Sequence, residues 1–202
     1  MLIYTKGAHV ANLKGYLHNK ITLSPAFDPG IDSMLEAKIL AQRYDSPKNK
    51  EGVNDIAYWI DEGYGYFTRP GKDREDLDII HIDEIFPSKM IALDANGFFN
   101  GIASGRDLHF TRGSVIVPFS RSNFDVLKIT APEAADLAAC ILAELKRHAV
   151  EVANRNILSI KVQLAVFLET YGEGVWQHFS QKQLADYFGI SEVYISRLRG
   201  GG

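Results

Sequence analysis

The stretch Phe179–Arg199, "FSQKQLADYFGISEVYISRLR", holds two short helix signatures in tandem. Ser180 is placed to N-cap the first helix, with Gln183 in the reciprocal capping-box position and Phe179 set to staple onto Leu184. Ile190, Ser191 and Ile195 repeat that layout. Between them stands Gly189, where a chain leaving a helix turns through a left-handed residue at no Cβ penalty. Two helices that cross steeply need a small residue at the crossing, and Ala185 supplies it. Leu184, Phe188, Ile190, Ile195 and Leu198 fall inward at helical spacing, while Lys182, Asp186, Glu192, Val193, Tyr194, Ser196, Arg197 and Arg199 face out. An ordinary helical hairpin would share the inward residues. Agreement of cap, staple, small residue and glycine favours a DNA-reading helix-turn-helix.

Upstream the pattern turns to strands. Segments 54–69 "NDIAYWIDEGYGYFTR", 76–87 "DLDIIHIDEIFP", 89–99 "KMIALDANGFF" and 112–124 "RGSVIVPFSRSNF" are short β-branched and aromatic runs bounded by turn residues. They predict an antiparallel roll or sandwich, with "DSPKNKEGV" (45–53) and "RPGKDRED" (69–76) as solvated hairpin loops.

Between roll and terminal unit, "TAPEAADLAACILAELKRHAVEVANRN" (130–156) predicts one long helix, opened by a Thr130–Glu133 capping box with Pro132 in its first turn. Ala134, Ala138, Ile141, Leu145, His148 and Val152 recur at alternating spacings of four and three, the seam of a coiled coil. The same spacing suits packing against the chain's own roll. Leu137, Leu142 and Ala149 widen the apolar face enough for both, so one side is expected on the roll and the other on a second copy.

The 202 residues, 46% hydrophobic, allow one good core and a smaller one. No apolar run approaches a membrane span and the N-terminal "MLIYTKGAHVANLKG" lacks a signal-peptide core, so a cytoplasmic protein without a membrane partner is expected. Cys140 is the only cysteine, which excludes an internal disulfide and a cysteine-held iron–sulfur cluster. The net charge of −3 argues against nonspecific nucleic-acid binding by the whole surface, but Lys146, Arg147, Arg155 and Lys161, with Lys182, Arg197 and Arg199, leave a weakly basic C-terminal third. One weakly basic copy would bind DNA poorly, which again points to two.

The order of roll, long helix and terminal helix-turn-helix resembles the Crp/Fnr family of transcription regulators. "YWIDEGYGYF" (58–67) is similar to the family's strand-glycine-strand segment, "VIVPFSRSNFDVL" (115–127) to its last roll strand and hinge, and "QLADYFGISEVYISRLR" (183–199) to its DNA-reading unit. Its finish, "GISEVYISRLRG" (189–200), resembles a wingless subgroup typical of Bacteroidetes-like sequences. The resemblance implies an α+β chain with a β-roll over 1–129, a connecting and dimerising helix over 130–155 and a DNA-binding domain over 156–202. It further implies DNA and a second copy of the chain as partners, and RNA polymerase beyond them. Ser180, Gln181, Lys182 and Arg199 would grip phosphates, and Glu192, Val193, Tyr194, Ser196 and Arg197 would face base edges. Val193 stands where the family often has glutamate.

The stretch "NGFFNGIASGRDLHFTRGSV" (96–115) departs from the family's cyclic-nucleotide pattern: Ile102 follows Gly101 in place of glutamate, and Arg106 is followed by Asp107 and Leu108. Gly101, Arg106 and Arg112 remain as effector-pocket candidates, open to an unidentified small molecule, and cyclic AMP is not expected. Neither a metal nor haem is expected, because the six histidines form no ligand pair at helical spacing. An enzyme would draw on Ser104, Asp107 and His109, or on Asp61 and Glu62, but no strand-turn-helix nucleophile setting surrounds Ser104. No catalytic residue is therefore assigned. A protein-interaction or structural roll with a vestigial DNA module is the alternative.

Overall fold

Gly63, at φ 83°, turns the chain between β3 (Ile56–Glu62) and β4 (Gly65–Lys72), and a Cβ there would lie 2.2 Å from Ser114 Oγ. In the computed structural model, which describes residues 6–72 and 78–200, the passage from one sheet to the other is thus made at a position that only glycine fills comfortably. The remaining strands are β1 (Lys38–Ile39), β2 (Tyr44–Asp45), β5 (Asp78–Phe86), β6 (Met90–Ala92), β7 (Asp107–Phe110) and β8 (Val115–Ser120). They form two antiparallel four-stranded sheets, β1-β8-β3-β6 and β2-β7-β4-β5, here called A and B.

Strand alternation assigns the faces. Along β3, Tyr58 and Ile60 join Phe67, Phe86, Leu108 and Phe110 in the core between the sheets, whereas Ala57 and Trp59 pack beneath helices on the outer face of sheet A. Those helices are α1 (Lys6–His18), α2 (Phe27–Asp32), α3 (Arg121–Thr130) and the N-terminal half of α4 (Ala134–Asn156). The outer face of sheet B carries Tyr64, Tyr66, Ile82 and Ile85 into a third core with α5 (Ile160–Tyr171), α6 (Val175–His178), α7 (Gln181–Phe188) and α8 (Glu192–Gly200).

The chain is therefore α+β with an antiparallel roll, a long helix and a C-terminal helical unit. Several expectations change in detail. The predicted loop over 69–76 is strand as far as Lys72, and residues 73–77 lie outside the described residues, as do Gly201 and Gly202. The segment after β8 is a helix, N-capped by Ser120, whose Oγ accepts from Asn123 N at 3.2 Å. The Thr130–Glu133 capping box does not form. Thr130 ends α3 and its hydroxyl donates to the Leu127 carbonyl, while Glu133 accepts from Ser24 N at 2.9 Å, so α4 begins at Ala134 without a side-chain cap.

The heptad seam is corrected as well. Ala134, Ala138 and His148 are buried within the chain, Ile141 and Leu145 pack on the roll cores, and Val152 is half-buried. Sheet A and α3 claim this seam because Trp59, Ile91 and Leu127 offer an apolar bed that α4 can reach without a partner. What remains open on α4 is its opposite side, with Ala135, Ala139, Ala143, Ala149, Val150 and Ala153 exposed.

Candidate nucleic-acid interface

The tandem helices form as their sequence dictates. Ser180 Oγ accepts from Gln183 N at 3.1 Å, and Gln183 Oε1 accepts from Ser180 N at 2.9 Å, closing both halves of the capping box on α7. Gly189 ends α7 at φ 65°, and the Ile190 amide returns to the Ala185 carbonyl at 2.9 Å. Ser191 caps α8 through Oγ to the Tyr194 amide at 3.2 Å. Leu184, Ala185 and Ile195 are buried together with Phe179, Phe167 and Val175, so both helices are held by their inner faces.

That anchoring leaves the outer face of α8 in solvent. Glu192, Val193, Ser196, Arg197 and Arg199 are exposed, as are Ser180 and Lys182 at the start of α7, while Gln181 and Tyr194 are half-buried. Arg197 makes no ion pair with Asp186 among the described residues, so its guanidinium is free for another acceptor. Arg199 lies over the Trp176 ring, 5.5 Å from its centroid, and Trp176 Nε1 donates to Glu173. Trp176 was not singled out in the sequence; a lone tryptophan on a four-residue helix carries no periodic signal.

Arg155, counted above towards the weakly basic C-terminal third, is only 4% exposed. It leaves the last turn of α4 and enters a cage of rings, 5.2 Å from Phe167, 5.3 Å from Tyr187 and 5.9 Å from both Tyr171 and Phe188. Its Nε has no hydrogen-bond partner. Nearby, the Ile85 carbonyl of β5 accepts from His148 Nε2 of α4 at 3.0 Å and from Tyr171 Oη of α5 at 2.9 Å. Tyr64 Oη in turn donates to the Tyr171 carbonyl at 2.6 Å. The roll, the long helix and the terminal helices thus meet at one strand. Burial, against the pull of the Ile85 carbonyl, lowers the pKa of His148.

The three effector-pocket candidates sit in separate turns, Arg106 and Arg112 at opposite ends of β7. Gly101 closes a π-helical turn over Asn96–Asn100 at φ 68°, Arg106 stands just before β7, and Arg112 is exposed in the turn after it. Arg106 is already engaged: Nη1 lies 3.4 Å from both Asp83 and Glu84, and the guanidinium stacks 4.1 Å from the Phe67 centroid. Burial raises the pKa of Glu84, against the pull of Arg106. Between the sheets, Tyr58, Phe67, Phe86 and Phe110 are all buried and fill the space.

Ser104, Asp107 and His109, considered for catalysis, are each engaged with other partners. Ser104 Oγ accepts from the Arg106 amide, Asp107 pairs with Lys48, and His109 is buried with Nε2 2.8 Å from Thr68 Oγ1 and Nδ1 2.7 Å from Asp45. Among the described residues His9, Asp61 and Glu62 bring metal-type ligand atoms within 4.8 Å of one another. Asp61 is already engaged: His9 sits 2.6 Å away, Asn12 and Trp59 donate to it, and Lys89 pairs with it. Burial opposes its ionisation, but these partners together hold its pKa below the usual range. It works as a peg joining α1 to β3.

No protein-family model and no curated protein sequence matches the chain. Solved structures do. A transcriptional regulator of the crp/fnr family from Eubacterium rectale superposes with a TM-score of 0.63 at 11% identity, covering 91% of this chain and 85% of that one. The c-di-GMP-responsive global regulator CLP of Xanthomonas campestris gives 0.58 at 14%, covering 88% and 91%. A cyclic nucleotide-binding domain-containing protein from Listeria monocytogenes gives 0.55 at 15%, covering 96% and 89%. At such identities the likeness is one of fold: this chain has the fold of the Crp/Fnr regulators across nearly its whole length.

Proposed function

We propose that this chain, built on the Crp/Fnr regulator fold, is a sequence-specific DNA-binding transcription regulator that acts as a homodimer and carries no catalytic activity. The observation that carries the reading is the pair α7–α8: closed caps, a buried inner face through Leu184, Ala185 and Ile195, and an outer face left to solvent with Arg197 unpaired. Nothing in folding requires that face to carry Glu192, Ser196 and Arg197 in register, whereas base reading in a major groove does. Ser180, Gln181, Lys182 and Arg199 supply phosphate contacts that fix orientation. Control of RNA polymerase is the consequence this reading implies.

Dimerisation follows from affinity, since a single reading helix on a chain of net charge −3 has few phosphates to neutralise. The open side of α4 is the surface left for it. The roll supports a regulator whose cyclic-nucleotide pocket is degenerate: Arg106 is spent on Asp83 and Glu84, and aromatic side chains take up the interior. Fluorescence anisotropy on mixed-sequence DNA tests the binding itself. Affinity should fall steeply with salt, with a log–log slope of several units for a dimer. Absence of binding at low salt would refute the reading.

A further inference from the structure

Between sheet A and the helices that cover it, side-chain packing leaves a cavity of about 70 Å³. Its walls come from α1, α2, β3, α3 and α4, with Leu17, Phe27, Trp59, Phe124, Ala138 and Ile141 among them, and every lining side chain is aliphatic or aromatic. The one polar atom of these six side chains, Trp59 Nε1, is committed to Asp61 at 3.3 Å. Native interiors leave few voids larger than a water molecule, and a cavity lined only by apolar side chains favours apolar guests over water.

We infer that this cavity is a binding site for a small neutral apolar molecule of the short hydrocarbon or halocarbon class, and that such a molecule acts through it on the DNA-reading unit. Size sets the class, because a cavity of about 150 Å³ takes benzene or xenon and this one is roughly half as large. Chemistry narrows it further: a carboxylate, phosphate or ammonium would lose its hydration and gain no partner. The site is on the opposite face of sheet A from the aromatic core between the sheets. Its far wall, Ala134 to Ile141, is the first half of α4, whose last turn places Arg155 in the ring cage of the terminal helices. A guest that fits one position of α4 better than another shifts the reading helices by its difference in affinity. The binding claim stands alone; only its consequence for DNA rests on the regulator reading.

The test uses the full chain, xenon observed by NMR, chloroform followed by thermal unfolding, and acetate as a charged control of similar size. A saturable xenon shift and a chloroform-dependent rise in Tm are expected, with no response to acetate. Ala138→Leu adds three carbons into the void and should keep or raise the Tm while abolishing both responses; Ala57→Val, on the sheet side, is the second variant if Ala138→Leu fails to fold. Saturating chloroform should change wild-type DNA affinity about fivefold or more. No saturable response in wild type, or a response that survives in both filled variants, overturns the site. Probe binding with unchanged DNA affinity overturns the effector role. A chain that binds the probes but never DNA keeps the site and removes the regulator reading, and a chain that binds DNA but no probe does the reverse.

Discussion

The Arg155 guanidinium donates to the Tyr187 hydroxyl at 2.5 Å, joining the last turn of α4 to α7. No carboxylate pairs with Arg155 among the described residues, so ring faces and one hydroxyl hold a buried charge. Replacing a buried ion by an apolar side chain of similar volume is often neutral or stabilising, by about 1–4 kcal/mol. Arg155→Met should therefore leave the Tm unchanged or raised in calorimetry. Yet it removes the directional bond that fixes α7 on α4, and DNA affinity should fall about tenfold, or 1.4 kcal/mol. A variant that loses stability while keeping full affinity would show Arg155 to be packing alone.

Arg106 carries the prediction about cyclic nucleotides. Asp83 and Glu84 both lie 3.4 Å from its Nη1, so a cyclic phosphate would have to displace two carboxylates to reach the guanidinium. Millimolar cyclic AMP should give no thermal stabilisation. A clear rise in Tm that disappears in Arg106→Ala would contradict this account of the roll.

How much of this was legible beforehand depends on how local each signal is. The caps at Ser180 and Ser191 and the turn at Gly189 lie within a few residues of what they stabilise, and they formed as read. The heptad spacing from Ala134 to Val152 says that a face is apolar but not what it meets, and the chain's own sheet took it. The charge of Arg155 is visible in sequence and its burial is not, because the rings that enclose it come from α5 and α7. β7 was overlooked since "DLHF" is four residues flanked by charge, and its strand character comes from pairing with β4.

His148 makes stability depend on pH. It faces Glu84 of β5 at 4.0 Å and Glu144, Glu151 and Arg155 of its own helix, and burial is the largest influence, lowering its pKa from 6.5. Because the folded pKa lies below the unfolded one, its contribution is complete above about pH 6.5 and is lost as pH falls from there through the folded value. Buried His109 shifts the same way. The Tm should therefore drop between pH 7 and 5, and His148→Gln, whose amide can still donate to Ile85, should lessen the drop. An equal drop in wild type and variant would assign the effect elsewhere.

Dimerisation is predicted to use the exposed side of α4. Ala139 lies in solvent in the single chain, so Ala139→Glu should barely alter folding but should convert a dimer to a monomer in sedimentation velocity. A wild type that sediments as a monomer at micromolar concentration, or a dimer indifferent to Ala139→Glu, would refute that interface.

The central claim is that Arg197, exposed and unpaired on α8, reads a base. Selection of bound sequences from a random DNA pool, with wild type and Arg197→Ala side by side, tests it most directly. The account predicts a two-fold symmetric motif with half-sites about one helical turn, 34–36 Å, apart, and a guanine preference worth about 1–3 kcal/mol that vanishes in the variant. A wild-type pool that enriches no sequence at low salt would contradict it.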